Sequence, residues 1–473
     1  MKIHFIGIGG IGVSAIAQYY LAQGHVITGS DLIENEMTQV LKNKGANIKI
    51  GPHKAENIPF NADIIIYSPA VQLDNAELQQ ARNVLSSKPL SSRWQAAGKP
   101  KQQMRVLSYP QALGELTQEY YTIAVSGTHG KSTTTAMIAL VLIEAGFDPT
   151  VIIGTKVKEF DPSLPAGTNC RVGQGTFTIK GKPVLLIEAD EHFASFLQYS
   201  PDIIVLTSVE PDHLDFYKNL QNIIKTFRTY IDLLPEHGMI IANRDDANIQ
   251  KILQKAKHPV YEYSGKWEAA KELRRILRVP GEYNVANAHA ALTLARALQI
   301  PDSKAFKALS KFQGTWRRFD VFQPQTPVKY TLVSDYGHHP TEVRVTVQAA
   351  RAKWPKAPLW VVFQPHQYQR TFFFFRDFIY ILSTLPVDKL IVADIYDVAG
   401  REENTTKEKV SSEKLVQQVI RKKGRQFASN VLYVPTIDKI ESYLKENLKG
   451  GEVVMVMGAG DIYNLTVRLT GQT

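Results

Sequence analysis

The segment Tyr121–Thr135, YTIAVSGTHGKSTTT, constrains the fold more than any other part of the chain. An apolar run, Tyr121–Val125, enters a Ser-Gly-Thr-His-Gly turn, and Ala136–Ala145 continues with a helical pattern. A strand that passes into a helix through such a turn belongs in a parallel α/β sheet. The turn also has the chemistry of a phosphate cradle. Gly127 and Gly130 let backbone N–H groups approach an anion, Thr128 and His129 lie between them, and the helix start favours negative charge. Lys131 can reach β- and γ-phosphate oxygens, and Ser132 or Thr133 can hold Mg2+. The usual pattern opens on a glycine where Val125 stands here. An ordinary glycine turn does not require a Gly-Lys-Ser-Thr core behind a buried strand, so ATP is the expected ligand.

A chain of 473 residues is too long for one hydrophobic core, and two or three domains are expected. Its composition, 44% apolar and 21% charged, is that of a globular protein. A net charge of +10 would suit nucleic acid or phosphorylated small substrates. No dense Lys/Arg tract with interleaved aromatics accompanies it, so nucleic acid is not expected as a partner. The single cysteine, Cys170, excludes an intrachain disulfide and fits a reducing cytoplasm. Met1–Gly10 reads as a strand entering a glycine turn rather than a secretory leader. The run Phe372–Phe375 is too short to cross a bilayer, so no membrane insertion is expected. It is expected to form the buried face of a helix start.

Strand and helix patterns alternate along the whole chain. Lys2–Ile6, His25–Gly29 and Asp63–Tyr67 read as strands around helices at Gly12–Gln23 and Glu36–Lys44. The polar stretch Gly98–Arg105 reads as a linker. The second segment adds strands at Pro183–Ile187, Ile203–Thr207 and Met239–Ala242 and helices at Val285–Leu298 and Ser303–Lys311. The third has strands at Tyr330–Val333, Leu359–Phe363, Lys389–Ala393 and Val453–Val456. The expected fold is α/β in three domains, 1–105, 106–313 and 314–473, each with a mainly parallel sheet. The first and third would be Rossmann-like and the second a P-loop-type ATPase domain.

Gly7, Gly9, Gly10 and Gly12 follow the first strand, and Asp31 follows the second. This is a diphosphate-binding turn with an acidic group placed for a ribose, and both a nicotinamide dinucleotide and a UDP-sugar offer those features. Glu188-Ala-Asp190-Glu191 and Glu210-Pro-Asp212-His213-Leu-Asp215 each follow an apolar strand. Two strand ends rich in oxygen and imidazole ligands, in the sheet that carries the phosphate turn, point to a divalent metal site beside the γ-phosphate. In the third segment, Trp316–Asp320, Asp335–Glu342, Gln364–Thr371 and Gly458–Asp461 are polar clusters after apolar runs. His338 and His339 are adjacent and are expected to form hydrogen bonds rather than to ligate a metal as a pair.

These strings resemble the Mur ligase family over essentially the whole chain. GIGGIGVS at Gly7–Ser14, GTHGKSTTT at Gly127–Thr135, EADE at Glu188–Glu191 and EPDHLD at Glu210–Asp215 carry the resemblance. So do WRRFD at Trp316–Asp320, DYGHHPTE at Asp335–Glu342, the QPH…RT frame at Gln364–Thr371 and GAGDI at Gly458–Ile462. The resemblance implies a UDP-sugar at the first glycine turn. It implies that ATP phosphorylates the carboxylate of UDP-N-acetylmuramate, and that the amino group of L-alanine, or of a peptide as the alternative acceptor, then displaces phosphate. It implies that Lys131 steadies the β/γ-phosphates and that Ser132 or Thr133, Glu188 and His213 hold Mg2+. Asn287, Asp335 and Arg318 would contact ATP. Ser68 would join the glycines at the UDP-sugar, and Tyr336, His338, His366 and Arg370 would form the amino-acid and transfer face. The chain departs from the family at Tyr283, where a histidine is usual, at His192-Phe193, where Ser-Asp is usual, and at Gln367, where an arginine is usual. The Gln367 departure is expected to leave Arg370 as the main cation for the carboxylate of the amino acid. The stretch Tyr261–Pro280 looks short, where relatives carry a small β excursion.

Overall fold

A computed structural model describes residues 1–86, 104–397 and 404–471. The fold is α/β with three sheets. The first has five parallel strands in the order Asn47–Ile50, Val26–Asp31, Lys2–Ile6, Ile64–Tyr67, Arg105–Ser108. Strand order reverses between Lys2–Ile6 and Ile64–Tyr67, so the loops leaving these two strands open a crevice at their carboxyl ends. Gly7 and Ser68 begin those loops. Most of the expected linker, Gly98–Arg105, lies outside the described residues. Its last residue starts the edge strand Arg105–Ser108, so the first sheet runs past the expected boundary at 105.

The second sheet is built around Tyr121–Ser126, every residue of which is buried. Ile203–Leu206 and Lys182–Glu188 flank it in parallel. Met239–Asn243 and Val260–Tyr263 extend one side, and Thr150–Val157 with the antiparallel Thr168–Arg171 extend the other. Burial on both faces explains why these strands read as unbroken apolar runs rather than alternating ones. Helices Lys131–Ala145, Glu282–Ala297 and Asp302–Lys311 cover one face. The stretch Tyr261–Pro280 holds the end of the Val260–Tyr263 strand and a helix, Glu268–Ile276.

The third sheet runs Asp320–Phe322, Thr331–Asp335, Val453–Met457, Leu359–Phe363, Lys389–Val392, Val431–Tyr433, all parallel except the first. Phe372–Phe375 departs from expectation. Phe374 is buried, but Phe372 and Phe373 are 42% and 46% exposed. Helix Tyr368–Phe373 ends there and Phe375–Thr384 begins. Successive helical residues point in different directions, so consecutive phenylalanines cannot all face inward.

The first two domains are joined through a buried amide network. Asn169, fully buried, donates to Ser14 Oγ at 2.9 Å and accepts from Gln18 Nε2 at 2.7 Å. Both partners lie on helix Ile11–Ala22, which opens at the glycine turn. Lys156 links all three domains, bonding Glu36 of the first and lying 3.8 Å from the Trp316 ring at the start of the third.

Candidate active site

Two connected spaces lie among the carboxyl ends of the three sheets. One is a cavity of about 240 Å³ between the second and third domains, lined by His129, Gly130, Thr133, Asn287, Asp335 and Tyr283 among others. The other is a cleft of about 690 Å³ that reaches all three domains, from Gly10, Gly12 and Ser68 through Lys131, Ser132 and Glu188 to Tyr336, His338, His366 and Arg370. Arg318 lines both. Residues far apart in the chain therefore meet in one continuous site.

The phosphate turn is shaped by its glycines. A side chain at Gly127, at φ +139°, would strike Thr207 Oγ1, and one at Gly130, at φ +82°, would strike Asn287 Oδ1. Thr128 does not line either space. Its N–H donates to Ser208 O, and its hydroxyl bonds the Glu210 backbone at 2.9 and 3.2 Å. Gly127 and Thr128 thus set the path of the loop. Lys131 Nζ donates to Gly127 O and to Glu191 Oε2, each at 2.7 Å. Burial lowers the lysine's proton affinity, but Glu191 and Asp190 outweigh it and keep the ammonium charged. Ser132 Oγ donates to Glu188 Oε1 at 2.9 Å.

The expected metal ligands divide into two neighbouring groups. Ser132 and Glu188 are bonded to each other, whereas His213 groups with Asp190 and Glu191. His213 Nε2 lies 4.0 Å from Glu191 Oε1, an oxygen that is buried with no hydrogen-bond partner. A buried carboxylate oxygen without a donor, beside an imidazole and another carboxylate, fits a divalent cation. Burial raises the Glu191 carboxyl above its ordinary range although the Lys131 ammonium pulls it down. Glu191 is the last carboxylate of the EADE string that points to a metal site in the sequence. The departure at His192-Phe193 builds a ring stack, with His192 4.0 Å from both Phe193 and His213. His213 itself adopts a left-handed φ of 49°.

Among the described residues a second histidine–carboxylate group joins His129, Glu210 and His339. His129 Nδ1 lies 3.0 Å from Glu342 Oε1 and Nε2 lies 3.6 Å from Glu210 Oε2. Burial alone would push this imidazole down, yet the two carboxylates hold it up at about 10. It is an imidazolium clasped between Glu210 of the second domain and Glu342 of the third. Glu210 and Glu342 belong to the EPDHLD and DYGHHPTE strings, but their meeting at His129 has no mark in the sequence.

The first glycine turn differs from expectation in detail. Gly10, Gly12 and Ser68 line the cleft, whereas Gly7, Gly9 and Asp31 do not. Asp31 Oδ2 accepts the Gly9 N–H at 2.7 Å, so the acidic group buttresses the turn. An added Cβ on Gly9 would lie 2.9 Å from that oxygen and 2.7 Å from Asn35 Nδ2. One on Gly7, at φ +75°, would lie 3.1 Å from Ser68 Cβ.

In the cavity, Asn287 Oδ1 accepts from Thr134 Oγ1 at 3.1 Å, which leaves the amide nitrogen turned toward Asn284. Asp335 is raised to about 6 by burial, and its two oxygens accept the Gly337 and Phe319 N–H groups. Arg318 packs over the Tyr336 ring at 5.2 Å. Tyr283 is packed against the third-domain core and bonds Thr346, so this departure closes the cavity wall. On the cleft side, burial and the nearby Arg370 push the His338 imidazole down to about 4, leaving it neutral. Its ring lies 5.6 Å from that of His366. Arg370 is not free, as its Nε and one terminal nitrogen each lie 3.3 Å from Asp212 Oδ1. Gln367 Oε1 accepts from the other terminal nitrogen at 3.3 Å, so Gln367 holds the guanidinium in place.

The fold and this site define a nucleotide-binding enzyme of three α/β domains that works at the junction of its sheets. The chain matches the family models described as Mur ligase family, catalytic domain, over residues 2–121, Mur ligase middle domain over 125–295, and Mur ligase, glutamate ligase domain, over 317–460. The UDP-N-acetylmuramate–L-alanine ligase of Aquifex aeolicus is 37% identical over 98% of this chain and 95% of its own length. The enzyme of the same name from Caldanaerobacter subterraneus is 35% identical over 98% and 96%. The solved structure of UDP-N-acetylmuramate-alanine ligase from Thermotoga maritima superposes with a TM-score of 0.75 at 25% identity, covering 100% of this chain and 99% of that one. The protein belongs to the Mur ligase family.

Proposed function

We propose that this protein is an ATP-dependent ligase that joins L-alanine to the carboxylate of UDP-N-acetylmuramate, with ADP and phosphate released, in the cytoplasmic stage of peptidoglycan synthesis. Relatives bearing that name span nearly the whole chain. The observation that carries the reading is the single cleft uniting Gly10, Gly12 and Ser68 with Lys131 and with His338, His366 and Arg370. A carboxylate is a poor electrophile. Transfer of the γ-phosphoryl group to it forms an acyl phosphate and ADP, and attack by the acceptor's amine on the acyl carbon expels phosphate. The enzyme's part is to hold these groups together and balance their charge.

Each residue has a place in that scheme. Gly127, Thr128 and Gly130 fix the turn, and Lys131 exchanges Glu191 for the β/γ-phosphates. Asn287, Tyr283 and Asp335 line the adenosine end, and Arg318 spans the adenosine and phosphate ends. The turn Gly7–Gly12, buttressed by Asp31, and Ser68 receive the UDP-sugar. Ser132, Glu188, Glu191 and His213 would hold Mg2+, which supplies charge neutralisation to the phosphates. His338 is neutral at neutral pH and stands at the cleft wall to hydrogen-bond the acceptor's amine, whose proton leaves with the expelled phosphate. Arg370 binds the carboxylate of the amino acid, with His366 and Tyr336 flanking it. The test is ADP release with UDP-N-acetylmuramate and L-alanine, each omitted in turn. ADP formation that ignores either omission would refute the assignment.

A further inference from the structure

The ion pair between Asp212 and Arg370 crosses the cleft from the second domain to the third, and both side chains are about nine-tenths buried, at 11% and 8% exposure. Its geometry leaves the guanidinium fork incompletely used. Two guanidinium nitrogens share one oxygen, Oδ1, at 3.3 Å each, instead of forming the short two-by-two fork that arginine and carboxylate prefer. Asp212 Oδ2 lies 3.8 Å from His213 Nε2. Asp212 Oδ1 also accepts the His213 N–H at 2.8 Å, and against burial the Arg370 guanidinium holds the Asp212 carboxyl well below its ordinary range, so the two buried charges can part only if each gains another partner. Both charges also line the cleft within which Lys131 and Glu188 lie. A pair that lines the cleft can be opened by a ligand that offers a new partner to both charges at once.

An α-amino acid presents the same two charges as this pair. Its carboxylate can take the Arg370 fork, and its ammonium, one carbon away, can take Asp212. Each buried charge then keeps a partner, and the net charge of the pocket is unchanged. A simple amine would satisfy Asp212 and strand Arg370. A peptide N-terminus would do the same, because its nearest carboxylate has become an amide. We infer that Asp212 is the anchor for the acceptor's α-ammonium, and that the Asp212–Arg370 pair is opened by a zwitterionic amino acid that takes one charge at each end. This rests on the ligase reading above. It deepens that reading by selecting a free α-amino acid over a peptide as the acceptor.

The test uses initial rates of ADP release by the full-length protein at saturating ATP, Mg2+ and UDP-N-acetylmuramate. L-Alanine, L-alaninamide and L-alanylglycine are compared as acceptors. In the parent enzyme the amide and the dipeptide should half-saturate at concentrations roughly tenfold or more above L-alanine. Asp212→Asn should raise the half-saturation for L-alanine roughly 10- to 100-fold. It should leave those for ATP, Mg2+ and UDP-N-acetylmuramate within about twofold of the parent. Equal use of L-alanine and L-alaninamide by the parent overturns the inference while leaving the ligase reading intact, and it does so even if the variant fails to fold. A variant that shifts the Mg2+ or ATP dependence and not that of L-alanine overturns it as well. No ADP release by the parent with any acceptor refutes the ligase reading and the inference with it.

Discussion

At the residue scale, the roles of several expected site residues changed once their neighbours were known. Gly9 has Asp31, Asn35 and Thr38 packed against it, which leaves no room for a side chain. Gly9→Val should therefore disrupt the buttressed turn, weakening UDP-sugar affinity by roughly tenfold or more in calorimetric titration, in keeping with the cost of overpacking. Retained affinity would mean that the turn does not shape that site. Glu188 and His213 belong to adjacent ligand groups around Lys131. Glu188→Ala and His213→Ala should each raise the Mg2+ concentration needed for half-maximal ADP release. If both variants keep the parent's Mg2+ dependence, neither residue serves the cation. Gln367 accepts a hydrogen bond from Arg370 and sits at φ +70°, a conformation a non-glycine residue adopts only when its surroundings enforce it.

At the element scale, the phosphate turn and helix Pro340–Lys353 are clasped through His129, with Glu210 and Glu342 on either side. The pH dependence of this clasp follows from its shifts. The His129 value is raised from 6.5 to about 10, so its contribution is fully present below 6.5 and is lost as pH climbs through 10. Glu210 is lowered from 4.5 to about 2, so its contribution is present above 4.5 and is lost as pH falls through 2. The clasp should therefore stabilise the fold most between about pH 4.5 and 6.5. Thermal melts across pH should show the parent losing stability toward pH 10, with a shallower slope for His129→Gln. Identical slopes would show that the imidazolium contributes nothing. The helices and strands at this junction were legible in the sequence because their apolar runs are long and their glycines mark the ends. The clasp was not, because Glu342 reads equally well as the capping residue of its own helix, a role it also fills.

At the scale of the whole molecule, the UDP-sugar and phosphate sites occupy different domains that share one cleft. Lys131→Ala should abolish acyl-phosphate formation, measured as ADP release, while UDP-N-acetylmuramate still binds in calorimetry. The first-domain turn is held by Asp31 and by the Asn169 network, which the substitution does not touch. A large loss of sugar affinity in the variant would show that Lys131 contributes to sugar binding across the cleft.

The sequence by itself determined the α/β class, the three sheets and the family, because parallel strands buried on both faces and glycine turns at their ends leave local marks. It also brought forward most of the residues that line the cleft. Only the tertiary structure decided their partners. Strand order put the ends of Tyr121–Ser126, Lys182–Glu188 and Ile203–Leu206 side by side, which joined Lys131 to Glu191 and Ser132 to Glu188. The docking of the third domain joined Arg370 to Asp212 and His129 to Glu342. A charged side chain's role depends on which opposite charge reaches it and how much water is excluded. Both are set by contacts between segments remote in sequence, which no local pattern encodes.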